Sequence, residues 1–513
     1  MNTAATAGLD PAKSGAAGDG APEAIVIGSG FGGLAAAIRL SVRGYRVTVL
    51  EKLDGPGGRA SVFRQDGFTF DAGPTIITAP FLIEELWSLC GKQLSDDVDL
   101  RAMMPFFRMH FDDGEVFDYC GDPDKMRAEV ARLSPGDVAG YERFLKRSAT
   151  AYRLGYDKMG DMPFTRLRDM LAVIPDMLKM QGLRSLHSLV SSHVKDPRLQ
   201  TVLSFHPLLI GGNPFSVTAV YALISYLEQQ HGVFSAMGGT GALVDAMVRL
   251  MESQGARLRL NAEVEEITVD GGKVSGVRLA SGETLPAKVV VSNADSAWTY
   301  RHLLRPEHRR TWTDRKIERA KFSSGLFVWY FGTNKRYEEV PQHSIILGPR
   351  YKGLLDDIFK NHRLADDFSL YLHRPTELDS SLAPEGCDTF YVLAPVPHLA
   401  SGTDWEAQAE PFRKAIEQRL HETVLPELGA HVVTSKLMTP LDFQSRLLAF
   451  RGAAFSFEPI LTQSAWFRPH NVSEEVENLF LVGAGTHPGA GIPGVITSAK
   501  VLDKVVPHAS VFA

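Results

Sequence analysis

Apolar and polar residues follow one another along the first ninety positions in the order strand, glycine turn, helix, strand. The apolar run from Ala24 to Ile27 predicts a buried strand, and the alanine-rich run from Leu34 to Leu40 predicts a helix. The next apolar run, from Arg46 to Leu50, predicts a second strand. Strands that alternate with helices form parallel sheets, so residues 23–90 predict the beginning of an α/β domain.

Two later regions extend this domain. Residues 261–267, the pair Gly271-Gly272 and the following Lys273-Val274 predict a strand, a tight turn and a returning strand. The C-terminal segment 482–495 is rich in glycine and has two prolines, which suits a loop that leads into a helix near Pro493 or Gly494. Residues 23–90, the region near 255–297 and the C-terminus therefore predict one discontinuous domain.

The intervening segments have a different pattern. The alternating stretches 326–331 and 389–393 predict strands of a second sheet, which forms either the floor of an apolar pocket or plain sheet core. Residues 135–200 have helical periodicity interrupted by prolines. The middle of the chain is thus expected to form a separate substrate-binding region.

The first turn, Gly28-Ser29-Gly30-Phe31-Gly32-Gly33, has the spacing of a dinucleotide-binding loop. Gly28 permits the tight turn, Gly30 the close approach of a pyrophosphate, and Gly33 the packing of helix on strand. Glu51 ends the second strand, where a carboxylate accepts the ribose hydroxyls and disfavours a 2′-phosphate. The glycine spacing alone is weak evidence, but here strand, helix and acid are all in place.

The segment after Glu51 distinguishes between dinucleotides. Gly57-Gly58-Arg59 provides a glycine pair and a cation, which a nicotinamide domain does not need. The hairpin near 261–274 is the kind of insertion that covers the adenine side of FAD-binding folds, although a plain surface hairpin has the same pattern. Both features favour FAD.

Six further motifs carry a family resemblance. They are Asp71-Ala72-Gly73-Pro74-Thr75, Ser204-Phe205-His206-Pro207-Leu208, Gly211-Gly212-Asn213-Pro214-Phe215, Ser292-Asn293-Ala294-Asp295, Gln463 to Asn471, and Val482 to Val495. With these motifs the chain resembles the bacterial-type phytoene desaturases, which belong to the FAD-dependent carotenoid desaturases, from about residue 23 to its end. It departs from many relatives at Ala484 and Gly485, where they place an aspartate near the ribityl chain; we expect backbone N–H groups to replace it.

The resemblance and the pattern together imply an α/β fold with three parts. A discontinuous Rossmann-like FAD-binding domain is expected at 23–100, 235–300 and 470–513, and a mixed-sheet substrate domain at 101–134 and 301–469. Residues 135–234 are expected to form a helical, membrane-facing subdomain. Residues 1–22 are rich in Ala, Gly and Asp and predict a disordered tail.

The resemblance also implies which residues bind FAD. They are Gly28, Gly30, Gly32, Gly33, Glu51, Lys52, Gly58, Arg59, Gly73, Pro74, Thr75, Val264, Asn293, Gly483, Gly485, Ile492, Pro493, Gly494 and Val495. No metal site is expected.

The implied reaction is the desaturation of phytoene, or a related C40 carotenoid, to neurosporene or lycopene, with oxygen or a quinone as the electron acceptor. Alternatives are a desaturase of a hydroxylated carotenoid, an amine oxidase, or a non-catalytic prenyl-binding carrier of the same fold. The C-terminal signature has no cysteine for a covalent flavin, which argues against an amine oxidase. The intact glycine motif with Glu51 argues against a carrier.

Three residues are candidates for handling the proton. Asp169 lies in a helical segment with apolar neighbours and is a catalytic candidate; the competing interpretation is a surface acid, solvated or paired with arginine. His206 and His487 lie in family motifs, and for both we favour a structural hydrogen bond over acid–base catalysis.

Composition narrows the class of protein. The net charge of −6 gives no reason to expect nucleic acid as a partner. The three cysteines, with no Cys-x-x-Cys spacing, suit a reducing compartment. Between Arg198 and Glu228 there is no charged residue, but prolines and a glycine pair interrupt that stretch, so no transmembrane helix is expected.

A hydrocarbon substrate implies contact with a lipid surface. We expect a cytoplasmic, peripheral membrane protein that docks through residues 161–227, where basic residues outnumber acidic ones and apolar residues are interspersed. The apolar residues that we expect to enter the lipid interface are Met162, Met170, Met177, Met180, Leu183 and Leu186. The competing interpretation is a lid whose apolar face belongs to the core.

Overall fold

The computed structural model describes residues 20–512. Of the tail predicted at 1–22, residues 1–19 lie outside the described residues, and the first strand begins at Glu23. The strands are β1 Glu23–Ile27, β2 Arg46–Leu50, β3 Val62–Gln65, β4 Phe68–Asp71, β5 Ile77–Thr78, β6 Leu100–Ala102, β7 Phe107–His110, β8 Val116–Tyr119, β9 Val233–Ala236, β10 Arg257–Arg259, β11 Val264–Asp270, β12 Lys273–Leu279, β13 Thr284–Pro286, β14 Val289–Ser292, β15 Gly325–Thr333, β16 His343–Ile346, β17 Leu370–His373, β18 Asp388–Val396, β19 Val432–Met438 and β20 Leu479–Leu481.

Helices connect these strands and cover their sheets. They are α1 Phe31–Val42, α2 Pro80–Leu89, α3 Pro123–Leu133, α4 Val138–Ala151, α5 Leu167–Lys179, α6 Leu186–Ser191, α7 Pro197–Ser204, α8 Leu223–His231, α9 Gly239–Ser253, α10 Ser296–Trp298, α11 Asp314–Arg319, α12 Tyr351–Asp356, α13 Trp405–Thr423, α14 Leu428–His431, α15 Pro440–Leu447 and α16 Ile492–Val505.

A five-stranded parallel sheet, in the order β10-β2-β1-β14-β20, joins three distant parts of the chain. Strands β1, β14 and β20 are largely apolar and buried, as expected where both faces of a parallel sheet are covered, whereas the edge strand β10 is Arg-Leu-Arg and partly exposed. Helix α1 packs against this sheet, and its Ala35, Ala36 and Ala37 are fully buried. Their small side chains allow the helix to approach the sheet closely. The predicted discontinuous α/β domain is confirmed.

The predicted hairpin is the antiparallel pair β11 and β12, in which Asp270 pairs with Lys273. A seven-stranded mixed sheet, in the order β19-β15-β18-β17-β16-β7-β8, lies within residues 101–134 and 301–469. Its one parallel pair joins β7 to β16, and the other neighbours are antiparallel.

Strand β15 shows how the second sheet separates two environments. All nine of its residues are buried. Phe327, Trp329 and Phe331 pack on α13 through Trp405 and Phe412. Leu326, Val328 and Tyr330 alternate with them and line a large cavity on the other face. The sheet is therefore both core and pocket floor, since alternate side chains point to opposite faces.

A buried ion pair ties the start of β18 to the loop after β17. Asp388 and Arg374 are at most 1% exposed. One carboxylate oxygen of Asp388 accepts hydrogen bonds from Arg374 Nε at 2.9 Å and from the Tyr337 N–H at 2.7 Å, and the other accepts one from the Thr376 hydroxyl at 2.7 Å. Removing one member of such a pair leaves an uncompensated buried charge.

We expect Asp388→Ala to lower the free energy of unfolding of the substrate domain by about 3–5 kcal/mol, because the Arg374 guanidinium stays buried without its partner. The matched control is Glu283→Ala, which removes the carboxylate partner of Arg259 where both side chains are 43% exposed. Such exposed pairs contribute about 1 kcal/mol or less. Urea titrations followed by circular dichroism measure both changes, and equal losses would contradict the assignment.

Candidate active site

The two glycine-rich segments at opposite ends of the chain meet at the carboxyl edge of the parallel sheet. A Cβ atom at Gly32 would lie 3.1 Å from the backbone nitrogen of Gly483, and one at Gly33 would lie 2.0 Å from the carbonyl oxygen of Gly28. No larger residue fits at Gly33 without moving the strand away from the helix. The turn and helix α1 therefore have the close packing that the spacing predicted.

Asn293, which follows β14, lies between the two segments. Its Nδ2 donates to the carbonyl oxygen of Gly28 at 3.4 Å. A Cβ at Gly30 would be 3.0 Å from Asn293 Nδ2, and a Cβ at Gly483 would be 2.7 Å from Asn293 Oδ1. One amide side chain thus contacts glycines from the beginning and the end of the sequence.

Glu51 is buried at the end of β2 with its carboxylate fixed by three hydrogen bonds. One oxygen accepts from the backbone N–H and the hydroxyl of Ser29 at 2.9 and 2.7 Å, and the other accepts from the Leu53 N–H at 2.9 Å. The carboxylate lines the cavity at the position expected for a ribose contact.

A cavity of about 570 Å³ runs from these glycine segments to the seven-stranded sheet. Among the residues predicted to bind FAD, those that line it are Gly28, Gly30, Gly32, Glu51, Lys52, Gly58, Arg59, Gly73, Pro74, Thr75, Val264, Asn293, Gly483, Ile492, Pro493, Gly494 and Val495. The other two predicted residues, Gly33 and Gly485, do not line the cavity. A Cβ at Gly485 would be 2.4 Å from Ser296 Oγ, so this glycine allows close packing.

Helix α16 begins at Ile492, one residue from the predicted start, with Pro493 in its first turn. Gly491 precedes it with φ +92°, a conformation that favours glycine. The first turn faces the cavity and presents free backbone N–H groups and the positive end of the helix dipole. Such a terminus stabilises negative charge.

Polar atoms on the cavity wall lack partners in the protein. Arg59 and Asp295 face each other at 3.9 Å, and burial lowers the pKa of Arg59 and raises the pKa of Asp295. Arg59 Nε and Nη2 and Asp295 Oδ2 have no hydrogen-bond partner among residues 20–512. A phosphate-bearing, polar cofactor fits this end of the cavity because it would complete these hydrogen bonds.

Arg468 supports the C-terminal glycine-rich segment through hydrogen bonds to backbone carbonyls. The guanidinium is buried and donates to the carbonyl oxygens of Ala484 at 2.7 Å and Phe457 at 3.2 Å. The motifs named in the sequence contain Asp295 and Arg468, but neither residue was assigned a role there. A contact between a buried charged side chain and a distant backbone carbonyl leaves no periodic pattern in the sequence, so the sequence could not predict it.

A hydrogen-bonded network holds the Gly73-Pro74-Thr75 segment against the seven-stranded sheet. The Thr75 hydroxyl lies 2.9 Å from the Tyr391 hydroxyl and 3.2 Å from that of Tyr371. Tyr391 also donates to the Gly73 carbonyl oxygen at 3.2 Å. Burial raises the pKa of both tyrosines far above their ordinary value, so the network stays neutral.

The rest of the cavity wall is largely apolar. Its side chains come from the second sheet and from the helical region and include Leu208, Val220, Leu223, Leu326, Val328 and Phe443. Helix α5 contributes Met170, Val173 and Met177. One end of the cavity can therefore hold a charged cofactor, and the remainder can hold an apolar chain.

The structure gives no support to the expected catalytic role of Asp169. Its carboxylate accepts the backbone N–H of Arg166 at 3.0 Å and lies 3.9 Å from the Arg168 guanidinium. It closes the first turn of α5 and does not line the cavity. The competing interpretation, an arginine-paired surface acid, describes its position.

His487 does line the cavity, and its Nε2 lies 3.1 Å from the Met159 carbonyl oxygen. Burial lowers the pKa of His487 to about 4, so the ring is neutral at physiological pH. It makes the structural hydrogen bond that the sequence interpretation favoured.

Comparison with known proteins identifies the family. Residues 31–501 match the family of flavin-containing amine oxidoreductases. This chain belongs to that family. Its cofactor is FAD, as predicted, and it is an oxidoreductase of the FAD-dependent carotenoid desaturase type.

Two relatives of this family member have names that specify a substrate. The neurosporene-forming phytoene desaturase of Cereibacter sphaeroides is 52% identical over 494 residues, which is 95% of each chain. The lycopene-forming phytoene desaturase of Pantoea ananas is 48% identical over 476 residues, which covers 93% of this chain and 97% of that protein. The match extends through both sheets and the helical region.

Two solved structures share the fold. A putrescine oxidase variant superposes with a TM-score of 0.66 at 14% identity, and covers 96% of this chain and 99% of its own. Cyclohexylamine oxidase from Brevibacterium oxydans has a TM-score of 0.59 at 14% identity. These likenesses confirm the predicted fold class.

We expect Gly30→Val to abolish retention of FAD, because the side chain would occupy the space between the first turn and Asn293. The visible flavin absorbance per protein measures this loss after purification. Gly136→Val is the control, since Gly136 is exposed and a Cβ added there would have no neighbouring atom within 4 Å. Full flavin content in Gly30→Val would contradict the placement of the cofactor.

Proposed function

We propose that this enzyme desaturates phytoene, a C40 hydrocarbon, to neurosporene or lycopene by successive dehydrogenations. The observation that carries the proposal is the single cavity that joins a flavin cradle to a long apolar wall. Relatives whose names specify phytoene match the chain over 93–95% of its length, which supports the same substrate class.

The chemistry follows from a substrate that has no polar handle. Bound FAD supplies a two-electron oxidant that accepts hydride. The apolar wall recognises the hydrocarbon by shape and burial, and it excludes water from the reacting bond. The first turn of α16 stabilises negative charge through its N–H groups, and the Thr75 network fixes the loop opposite.

We expect purified protein with bound FAD to convert phytoene in liposomes to neurosporene or lycopene, resolved by chromatography of the extracted pigments. Oxygen or a quinone is proposed as the acceptor, and omitting each in turn under anaerobic conditions separates the two. A hydroxylated carotenoid that is converted while phytoene is not would overturn the assignment of the substrate.

We further propose that the enzyme works as a peripheral protein on the cytoplasmic face of a membrane. Moving forty carbons into water costs on the order of 30 kcal/mol at roughly 0.8 kcal/mol per methylene, so phytoene must pass directly from lipid to protein. Among residues 20–512 no helix is both long enough and apolar enough to span a bilayer.

Helix α5 supports the proposed docking surface. Its outer side exposes Leu167, Leu171, Ile174 and Leu178, which are 43–58% exposed, and Leu183 follows at 72%. Spacings of four, three and four residues put the four helical members on one stripe. An adjacent side of the same helix, with Met170, Val173 and Met177, lines the cavity.

The apolar residues on which docking was predicted need correction. Met180 and Leu186 are buried in the core, at 4% and 1% exposure, and Met162, Met170 and Met177 are only partly exposed. Leu183 is exposed as expected. The leucines of α5 take the place of the methionines because their side chains point away from the cavity.

Basic side chains flank the stripe. Arg168 and Lys179, at the two ends of α5, are 73% and 67% exposed, and Arg166 and Arg184 are also on the surface. Cations beside an exposed apolar stripe suit anionic headgroups at a membrane interface. Phe467, which is 41% exposed, follows Trp466, and Trp466 packs against the core beneath α5.

We expect Leu171→Ser combined with Leu178→Ser to weaken binding to anionic liposomes by about tenfold or more, because each loses about 1 kcal/mol of apolar burial. Liposome flotation measures the bound fraction. The control is Val433→Ser combined with Leu441→Ser, which alters exposed apolar residues, 52% and 41% exposed, outside this surface.

A second variant tests the charges. Changing Arg166, Arg168, Lys179 and Arg184 to Glu is expected to reduce flotation in anionic vesicles and to leave flotation in neutral vesicles less affected. Flotation equal to that of the wild type in both sets of variants would exclude α5 as the docking surface.

A further inference from the structure

His206 and Glu228 form a buried pair on the cavity wall. His206 Nε2 lies 3.0 Å from Glu228 Oε2, and the two side chains are 1% and 3% exposed. Both residues line the cavity. They come from different elements, since His206 begins the 3₁₀ segment His206–Ile210 and Glu228 lies on α8.

We infer that His206 is the base that accepts the proton lost in each dehydrogenation, and that Glu228 positions and supports it. The inference rests on the proposed function, because it needs a substrate that loses hydride and proton together. Two observations carry it: the buried hydrogen bond between the ring and Glu228 on the cavity wall, and the contacts of the elements that carry the pair with the flavin segments.

The hydrogen bond to Glu228 determines which ring nitrogen is free. A carboxylate accepts a hydrogen bond from Nε2–H, so the neutral ring keeps its proton on Nε2 and carries its lone pair on Nδ1. The structure records one hydrogen bond for this ring within residues 20–512, the bond through Nε2. Nδ1 therefore remains for a proton from the cavity.

The elements that carry the pair contact both segments of the proposed flavin cradle. The 3₁₀ segment that starts with His206 ends at Ile210, and a Cβ at Gly491 would lie 3.2 Å from Ile210 Cγ2. Gly491 directly precedes α16. Five residues of 3₁₀ helix span about 8–10 Å of backbone, so His206 begins a short segment whose far end contacts the start of α16. Helix α8, which carries Glu228, packs against β5, and β5 follows Thr75 by two residues.

The step balances as follows. One C–H bond of the substrate breaks to give hydride to FAD, and the neighbouring C–H bond breaks to give its proton to His206 Nδ1. The electron pair of the second bond forms the new double bond. The carboxylate of Glu228 balances the positive charge of the protonated ring, so the pair avoids an isolated buried cation.

Other titratable groups on the wall are less suited to this role. Tyr371 and Tyr391 stay neutral because burial raises the pKa of each, and a neutral phenol is a weak base. Burial lowers the pKa of His487 to about 4, and among residues 20–512 no carboxylate is hydrogen-bonded to its ring.

The acids at the cofactor end of the cavity already have partners in the protein. Glu51 accepts three hydrogen bonds from Ser29 and Leu53. Asp295 caps α10 through the N–H groups of Ala297 and Trp298 and faces Arg59.

The surroundings of His206 leave Glu228 as the charged group that faces it. Phe107 of β7, Tyr119 of β8 and the adjacent Phe205 enclose the ring, with centroids 6.0, 5.4 and 4.5 Å away. Burial and the nearby Glu228 raise the pKa of Tyr119 far above its usual range, so this phenol stays neutral.

The test is the rate of FAD reduction in a single anaerobic turnover with phytoene in liposomes, followed by flavin absorbance at a series of pH values. A general base must be unprotonated to accept the proton, so the wild-type rate is expected to rise with pH and then level off. We expect His206→Gln to be about 100-fold slower and independent of pH, with FAD still bound.

Matched variants separate catalysis from packing. His193→Gln makes the same change in the same helical region at a half-buried ring that does not line the cavity, and it is expected to keep the wild-type rate and pH profile. Glu228→Gln is expected to slow reduction and shift the pH profile, because an amide can donate to Nε2 and reverse the tautomer. Imidazole is expected to restore part of the rate of His206→Ala, which a purely structural histidine would not allow.

Two results overturn the inference. One is a wild-type rate that does not change across the pH series, which decides the matter even if the variants lose FAD. The other is a His206→Gln protein that holds FAD and keeps the wild-type rate and profile. Failure of the wild type to reduce FAD with phytoene at any pH would instead contradict the proposed substrate.

Discussion

The contact between the first glycine turn and the C-terminal glycine segment is the constraint on which the site depends. Gly32 and Gly483 approach so closely that a single added Cβ would lie 3.1 Å from backbone, and Asn293 contacts both sides. Three strands far apart in sequence, β1, β14 and β20, must pair in parallel for this contact to exist. Assembly of the cofactor site is therefore coupled to long-range folding of the whole parallel sheet, because none of the three segments forms it alone.

Sequence patterns predicted the parts of this architecture that local chemistry determines. Strand β2 has the predicted bounds, and the predicted helix start near Pro493 is one residue from the observed start at Ile492. Both are set by features within a few residues, an apolar run in one case and a proline after glycine in the other. The alternating side chains of β15 likewise fitted both predictions, sheet core and pocket floor. One face of the sheet is core, and the other is the floor of the pocket.

What the sequence left undetermined depends on the direction of side chains in three dimensions. Asp169 lies among apolar residues in the sequence, yet it sits in the first turn of α5, where the free N–H groups attract its carboxylate. Met180 and Leu186 lie in a segment where basic and apolar residues are mixed, which is typical of a membrane-binding surface, but both are core residues. The partnership of His206 with Glu228 joins two separate elements, and no spacing along the chain indicates it.

Helix α5, about 10 Å across, forms part of the cavity wall and reaches the surface on an adjacent face. Its methionine face borders the cavity and its leucine face is exposed. A carotenoid of forty carbons is far longer than this wall is thick, so on the proposed membrane surface one end of the molecule remains in lipid while the other reacts. Partly desaturated chains then need not leave between steps. How many double bonds form becomes a question of how far the chain slides and how long it stays, and the rate depends on the concentration of substrate within the bilayer plane rather than in bulk solution.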